Sequence, residues 1–306
     1  MFPIDFVFPF VDNNDPVWRK EYDKYNKTPA RSKNESNNSA RYRDYGLLKY
    51  LFRGIERNLP WINHVYLVVS NIEQVPNWID QTCPRLTIVL HKNIIPEKYL
   101  PTFNSQTIEM FIKNIPGLSE HFIYSNDDIF FVKYLKRTDF FLDNGFPVYR
   151  VVRTVNKDTN QYRKVCFNEY EMLRTKLKKP QMPNGKYMKP DHFAKPMRLS
   201  VMNECYNNFE PQIISSLSRF REDKNMNQYV FVLYHWFMYP YQENRRPNKY
   251  FNLTDSDIIK AADALRTLKY NEICLNDNAD SNPEKAYRIL NPLLNSILPD
   301  KSDFEI

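Results

Sequence analysis

Short apolar runs along the first half of the chain predict buried strands. They are rich in Val, Ile, Leu and aromatic residues and lie at residues 4–11, 65–70, 86–91 and 121–124. Each run ends in polar or turn-forming residues, as strands commonly do. Helical spacing of apolar residues in the intervening stretches favours a largely parallel sheet with helical connections.

Two helices are predicted between these strands. The first follows Asp44, which stands where an N-cap would, and ends before Pro60. The second begins at Asn104 or Ser105. Residues 20–40 are dominated by polar and charged side chains and predict a loop.

The second half of the chain is less regular and richer in predicted helices. Residues 148–155 alternate like a strand, and residues 178–191 are a connector rich in Pro and Lys. Helices are predicted at residues 229–239, 256–268 and 284–298. We therefore predict an α/β fold with a mostly parallel central sheet and a helix-rich C-terminal half. No clean boundary divides the chain, so we expect a single domain over residues 1–306.

Composition excludes several classes of function. The 306 residues include only 5 Gly, and no GxGxxG or GxxxxGK[ST] pattern occurs, which argues against P-loop kinases and Rossmann dehydrogenases. GxSxG and HExxH are also absent, so serine-hydrolase and zinc-protease chemistry finds no support. The four cysteines form no CxxC pair and are expected to be free thiols.

The net charge of +7 leaves several partners open. It suits an anionic membrane surface, an anionic donor molecule or nucleic acid, and it is also what a solvated surface can carry. Aromatic residues are spread evenly and are explained by core packing, so no nucleic-acid partner is predicted. The longest apolar stretch, residues 229–239, is too short to span a bilayer, and we expect a soluble protein.

Asn126, Asp127 and Asp128 form the sharpest local signal, because they directly follow a predicted strand. Paired carboxylates suit a hard cation such as Mg²⁺ that bridges phosphates. The alternative is a polar turn in which Asp caps the backbone. In parallel sheets ligands bind beyond the carboxyl ends of strands, and Asp12 lies at another such end. We therefore expect Asp12 and Asp128 to approach one another.

Other candidates are weaker alone. His192 follows Pro and Asp in a loop-like stretch and is a candidate base, although an isolated histidine is often structural. Arg219 and Arg221 suit phosphate oxygens, or a solvated helix start. Asn276 and Asp277 could contact a cation or a sugar.

Read together, these signals resemble the Stealth family, which includes bacterial capsular polysaccharide phosphotransferases and the catalytic core of lysosomal N-acetylglucosamine-1-phosphotransferase. The resemblance covers nearly the whole chain in four blocks. They are residues 4–18, residues 41–128 with Arg41-Tyr42-Arg43-Asp44 at one end and Asn126-Asp127-Asp128 at the other, a block around His192 and Pro196, and Arg221 with the later Cys274-Leu275-Asn276-Asp277.

The resemblance implies a Rossmann-like sheet related to nucleotide-sugar transferase folds. Residues 1–135 would bind the nucleotide sugar, and residues 136–306 would complete the acceptor and catalytic part. It also implies transfer of hexose- or N-acetylhexosamine-1-phosphate from a UDP-sugar to a glycan hydroxyl with release of UMP, during capsular or cell-surface polysaccharide synthesis. The acceptor would be a glycan or a lipid-linked oligosaccharide. The enzyme would work in the cytoplasm, in contact with the inner membrane face.

The same resemblance suggests roles for individual residues. His192 would be the general base, Asp128 would orient that histidine or the cation, and Arg221 would hold the transferred phosphate. Mg²⁺ or Mn²⁺ would be bound with the help of Asp127 and Asp277. Residues that would line the substrate site are Asp12, Arg43, Asp44, Asn104 and Asn126.

Two rival functions remain open at this stage. A conventional glycosyltransferase would use the same donor and the same Asp pair but would release UDP. A carbohydrate-binding module would bind sugar through aromatic and Asn/Asp side chains without turnover.

Overall fold

A computed structural model describes residues 2–26, 39–155 and 161–306 of the chain. The strands are β1 (Ile4–Pro9), β2 (Val65–Val69), β3 (Leu86–Leu90), β4 (His121–Tyr124), β5 (Ile129–Phe131), β6 (Val148–Tyr149), β7 (Val151–Val155), β8 (Lys186–Pro190), β9 (Lys195–Arg198), β10 (Gln242–Glu243), β11 (Asn248–Asn252) and β12 (Glu272–Asn276). The α-helices are α1 (Pro16–Tyr25), α2 (Leu48–Asn58), α3 (His91–Ile94), α4 (Ser105–Glu109), α5 (Gln161–Lys176), α6 (Leu199–Asn208), α7 (Glu210–Ser216), α8 (Tyr229–Met238), α9 (Asp255–Arg266) and α10 (Pro283–Ile297).

The chain folds into two compact units, each assembled from separate stretches of sequence. The sheet unit contains Ile4–Leu90, Tyr124–Arg137 and Arg246–Ile306. The helical unit contains residues 2–3, His91–Ile123 and Thr138–Arg245. Each unit therefore takes residues from both sides of position 135. A division of labour between residues 1–135 and 136–306 remains a prediction.

The predicted α/β class with a mostly parallel sheet is confirmed. In the sheet unit, β1 pairs in parallel with β2, and β2 pairs in parallel with β3. Ser125, directly after β4, donates its N–H to the Val7 carbonyl of β1 over 3.0 Å. β1 and β2 are covered on both faces, as is usual inside a parallel sheet, and every residue of β2 is buried. β3 is only partly buried.

A second small sheet in the sheet unit has the order β11-β12-β5. β12 runs parallel to β11 and antiparallel to β5. Helix α2 packs closely on β5 at Gly54, where an added Cβ would stand 2.7 Å from the Phe131 carbonyl oxygen. A glycine is required there because any side chain would collide with the strand backbone.

The helical unit is built around the buried aromatic helix α8. Every residue of Tyr229–Trp236 in α8 is buried, and α5 and α6 pack against it. β7 and β8 pair in antiparallel fashion, and β8 packs beside α5, which lies between the two strands in sequence. The three helices predicted in the second half of the chain correspond to α8 of this unit and to α9 and α10 of the sheet unit, with ends shifted by one residue or two.

One predicted segment of the first half differs from the structure. Residues 20–25 belong to helix α1 and not to a loop, because Asp15 caps that helix and Trp18 and Tyr22 stack with 4.9 Å between ring centroids. The predicted loop at residues 27–38 lies outside the described residues.

The prediction for the second half also needs two corrections. Residues 148–155 form two strands, β6 and β7, because they pair with different partners on either side of Arg150. The predicted connector at residues 178–191 contains strand β8, whose partner β7 is distant in sequence.

Candidate functional site

The structure places the predicted residues in both units. The sheet unit holds Asp12, Arg43, Asp44, Asn126, Asp127, Asp128 and Asp277, and the helical unit holds Asn104, His192 and Arg221.

The turn after β4 is held in place by the small sheet. The Asp128 carbonyl accepts the Leu275 N–H over 2.8 Å, which continues the pairing of β12 with β5. The Cys274 thiol donates to Asp128 Oδ2 over 3.3 Å. Asn126, Asp127 and Asp128 remain half-buried, so their side chains stay within reach of a ligand. The turn follows β4 in the chain, and the antiparallel pairing of β12 with β5 therefore fixes its orientation.

Asp12 lies in the loop after β1, and the Gln74 side chain holds this loop by hydrogen bonds to the Asp12 backbone. Gln74 Oε1 accepts the Asp12 N–H over 2.7 Å, and its Nε2 donates to the Asp12 carbonyl over 2.9 Å. The same Nε2 donates to Asp15 Oδ2 over 2.7 Å. The Gln74 side chain is buried, so these bonds are shielded from water. Sequence reasoning did not identify Gln74, because no local motif marks a glutamine that acts 62 residues away.

Asp44 does not cap helix α2, contrary to the prediction. The N-cap residue is Leu47, which makes no side-chain cap bond. Asp44 Oδ1 instead accepts the Gly46 N–H over 2.9 Å, a turn made possible by the positive φ of 67° at Gly46. Burial raises the pKa of Asp44, and the nearby charge of Asp12 raises it further.

Asp12, Asp44, Asp127 and Asp128, which we call the carboxylate cluster, influence one another electrostatically. Burial raises the pKa of Asp127 to about 8, and the charges of Asp128 and Asp44 add to that effect. Carboxylates gathered in this way repel one another unless a proton or a cation is present. Hard oxygen donors are the ligands that Mg²⁺ and Mn²⁺ accept. The oxygen donors of the carboxylate cluster are therefore of the type that a divalent cation accepts, and cation binding there remains a prediction.

Asp277 is engaged by Arg43 in a two-pronged ion pair. Arg43 Nε donates to Asp277 Oδ2 over 2.8 Å, and one terminal nitrogen donates to Oδ1 over 2.9 Å. This geometry is the strong, bidentate form of the contact. It ties the segment after β12 to the segment before α2. Both Asp277 oxygens already accept hydrogen bonds from Arg43, and cation binding by Asp277 remains a prediction.

In the helical unit, His192 is held by its backbone and by its ring. Asp191 Oδ1 accepts the His192 N–H over 3.0 Å, and Arg150 holds Asp191 through an ion pair of 2.8 Å. His192 Nδ1 lies 3.4 Å from the Tyr229 hydroxyl of α8. The structure thus gives the loop histidine a defined orientation that the sequence did not reveal.

Arg221 and Asn104 belong to one hydrogen-bonded loop system. Arg221 donates to the Ser105 hydroxyl over 2.7 Å. Asn104 is fully buried, and its amide donates to Asn225 Oδ1 over 3.0 Å and to the Phe220 carbonyl over 3.3 Å. The helix predicted to begin at Asn104 or Ser105 begins at Ser105, and Asn104 caps it. The Asn104 amide thus holds the backbone before Arg221 and the Asn225 side chain after it.

Comparison with known proteins gives a family model that matches this chain and several relatives. The model of Stealth protein CR2, conserved region 2, matches residues 41–149, which include Arg43, Asp44, Asn104 and the turn after β4. The exopolysaccharide phosphotransferase cps2G of Lactiplantibacillus plantarum is 31% identical, and the alignment covers 99% of this chain and 96% of that protein. This chain belongs to the Stealth family.

Other Stealth-type relatives match over similar lengths. The capsular polysaccharide phosphotransferase WcwK of Streptococcus pneumoniae is 31% identical over 99% of both chains. The capsular polysaccharide phosphotransferase fcs1 of Haemophilus influenzae is 29% identical over 96% of this chain and 83% of that protein. Among solved structures, the galactosyltransferase LgtC, in complex with donor and acceptor sugar analogues, covers 96% of each chain with a TM-score of 0.44 and 11% identity.

In the part of the chain that the structure describes, no helix is both long enough and apolar enough to cross a membrane.

Proposed function

We propose that this chain transfers hexose- or N-acetylhexosamine-1-phosphate from a UDP-sugar to a hydroxyl of a glycan or a lipid-linked oligosaccharide. The product would serve capsular or cell-surface polysaccharide synthesis. Full-length similarity to proteins named as polysaccharide phosphotransferases supports this class of reaction. The observation that carries the proposal within the molecule is the carboxylate cluster, because its raised Asp127 pKa signals a place where positive charge is needed.

The bond changes follow from the proposed donor. The acceptor hydroxyl oxygen forms a bond to the phosphorus that carries the sugar, and the bond from that phosphorus to the oxygen of UMP breaks. UMP leaves with the electron pair, and the hydroxyl proton passes to a base. Such a reaction needs in-line positioning and neutralisation of negative charge more than covalent help from the protein.

In the sheet unit, we assign the carboxylate cluster to donor binding through a cation. Asp127 and Asp128 would hold Mg²⁺ or Mn²⁺, which would offset the charge of the donor diphosphate. Asp12 and Asn126 would contact the donor, and Gln74 would keep Asp12 in place. Arg43, through its ion pair with Asp277, would keep the neighbouring segment ordered.

In the helical unit, we assign His192 as the base that takes the proton of the acceptor hydroxyl. A positioned base contributes about 10²–10⁴-fold to a rate. Arg221, held by Ser105, would bind the phosphate that is transferred, because a guanidinium matches the oxygens of a phosphate.

The nucleotide product tests the proposal. The full-length protein is incubated with a panel of UDP-sugars, an acceptor glycan and Mg²⁺, with and without EDTA, and nucleotides are separated by chromatography. UMP release that EDTA abolishes, and that His192→Gln lowers by about 100-fold or more, is the expected result. Release of UDP would instead establish a glycosyltransferase. Sugar binding without consumption of any donor would establish a binding module.

A further inference from the structure

Tyr229 and Tyr162 form a hydrogen-bonded line that ends at His192. Tyr162 Oη and Tyr229 Oη are 2.8 Å apart, and Tyr229 Oη is 3.4 Å from His192 Nδ1. The ring of Tyr162 stands edge-on to both other rings, with centroid distances of 5.8 Å to Tyr229 and 6.2 Å to His192. All three side chains lie in the helical unit.

The two phenols stay neutral and firmly placed. Tyr229 is buried on the apolar helix α8, and burial raises the pKa of both phenols well above their usual range. The Lys195 ammonium lies 4.7 Å from the centre of the Tyr229 ring and also donates to the Phe193 carbonyl over 2.6 Å. Tyr229 therefore presents a neutral hydroxyl, not a phenolate, to Nδ1.

We infer that Tyr229, backed by Tyr162, is the positioning residue that sets the orientation and tautomer of His192 for the proposed transfer. A hydroxyl hydrogen can rotate, so the line has two consistent directions. If the hydrogens point from Tyr162 through Tyr229 to Nδ1, the neutral imidazole holds its proton on Nε2. If they point the other way, Nδ1 carries the proton and donates to Tyr229, and Nε2 is basic.

The second direction is the one that suits base catalysis. Once Nε2 has taken the proton of the acceptor hydroxyl, the imidazolium carries a proton on each nitrogen. Nδ1–H still donates to Tyr229 Oη, and the Tyr229 hydroxyl still donates to Tyr162 Oη. No hydrogen bond in the line has to change direction when Nε2 takes the proton. A hydrogen bond of 3.4 Å is long for the resting protein, as is common before a substrate is bound.

This inference rests on the proposed function for its catalytic meaning, but its first test needs no turnover. The protein is labelled with ¹⁵N-histidine, and the ring-nitrogen resonances of His192 are assigned by their loss in His192→Gln. In Tyr229→Phe we expect both resonances to move as the two tautomers redistribute. Tyr162→Phe should move them in the same direction by less.

Tyr234→Phe is the matched control, because it removes another buried hydroxyl from α8, one that donates to Glu204 over 2.6 Å. It should leave the His192 resonances in place. Unchanged resonances in both Tyr229→Phe and Tyr162→Phe would overturn the inference, whether or not the protein consumes a UDP-sugar.

Turnover supplies the second readout. In Tyr229→Phe we expect kcat to fall by about 10- to 100-fold, a part of what a positioned base contributes, while KM for the donor changes little. Loss through KM alone would contradict a positioning role. If no donor is consumed by the unmodified protein, the proposed function fails, while the resonance test still decides the hydrogen-bond line.

Discussion

Asp127 is a half-buried carboxyl near one charge that is adjacent in sequence, Asp128, and one that is distant, Asp44. Burial, Asp128 and Asp44 raise its pKa to about 8. Between an ordinary carboxyl pKa of about 4 and that value, the folded protein keeps a proton that the unfolded chain has lost. Stability contributed by this group is therefore present at low pH and is lost as the pH rises toward 8.

Asp127→Asn should flatten this pH dependence. In EDTA, we expect the melting temperature of the unmodified protein to fall more between about pH 5 and pH 8 than that of the variant. Added Mg²⁺ should stabilise the unmodified protein more at the higher pH, because cation binding requires the deprotonated cluster. Asp280→Asn, which changes an exposed carboxyl of the same unit, should keep the original slope. Equal slopes for all three proteins would contradict the raised pKa.

Gln74→Glu should disturb Asp12 without changing the size of the side chain. The variant loses the Nε2 donor to the Asp12 carbonyl and to Asp15 Oδ2, and it places a second carboxylate against Asp15. Each buried group left without its partner costs about 1–3 kcal/mol. We expect a lower urea midpoint and a KM for the donor raised by roughly 10-fold, as about 1.4 kcal/mol of lost binding would give. Gln81→Glu, at an exposed position, should change neither quantity.

At the scale of elements, helix α2 is joined to the C-terminal segment by a buried ion pair. Arg53 donates to both Glu305 oxygens over 2.8 Å and to the Leu298 carbonyl over 3.0 Å. Only 8% of the Arg53 side chain and 5% of the Glu305 side chain are exposed. Such a pair depends on both partners, because removing one leaves a buried charge.

Glu305→Ala should therefore destabilise the protein by about 3–5 kcal/mol, measured as a shift of the urea unfolding midpoint. Asp23→Ala is the matched control, since it breaks the Arg19–Asp23 pair of α1, whose side chains are 48% and 57% exposed. That change should cost less than about 1 kcal/mol. A similar loss in both variants would show that the burial of Arg53 is not what matters.

At the scale of the whole molecule, the positive charge is concentrated in one stretch. Residues 161–190, which include α5 and β8, carry eight lysines and arginines against two glutamates, while the whole chain has a net charge of +7. Glu169 is fully buried, and burial raises its pKa well above its usual range, so it offsets little of this charge. Lys176, Lys178 and Lys186 are exposed at the end of α5 and at the start of β8.

Contact with an anionic membrane remains a prediction, and this stretch provides its test. We expect the protein to sediment with vesicles that contain phosphatidylglycerol and not with phosphatidylcholine vesicles, and to be released by salt. Replacing Lys176, Lys178, Lys179 and Lys186 by Gln should lower vesicle binding by about 100-fold or more, since each lysine contributes about 1 kcal/mol. The same change at the exposed Lys20, Lys24, Lys249 and Lys269 should have a smaller effect. Equal losses would indicate that only net charge matters.

Strands β1 to β4 and helices α2, α4, α8, α9 and α10 could be predicted from the sequence, because hydrophobic periodicity is a local property that burial enforces along each element. The short strands β5 and β9 to β12 and the helices α3, α5, α6 and α7 were not predicted. β2 and α10 begin and end within a residue or so of their predicted limits. Helix α1 and strand β8 were missed for a physical reason. Strand β8 is stabilised by pairing with β7, which is distant in sequence. Helix α1 has a local cap at Asp15, but its aromatic residues Trp18 and Tyr22 also pack against Tyr42, which the polar composition of residues 20–40 does not reveal.

The sequence by itself determined the first strands and the most periodic helices, the family and the residue types available for chemistry. Only the tertiary structure decided what those residues touch. Three contacts join residues that are 37 to 234 positions apart in the sequence. Gln74 bonds to the Asp12 backbone, Arg43 pairs with Asp277, and Tyr229 contacts His192. Hydrogen bonds and charge–charge effects depend on distances of a few ångströms in space, which no local pattern of side chains records.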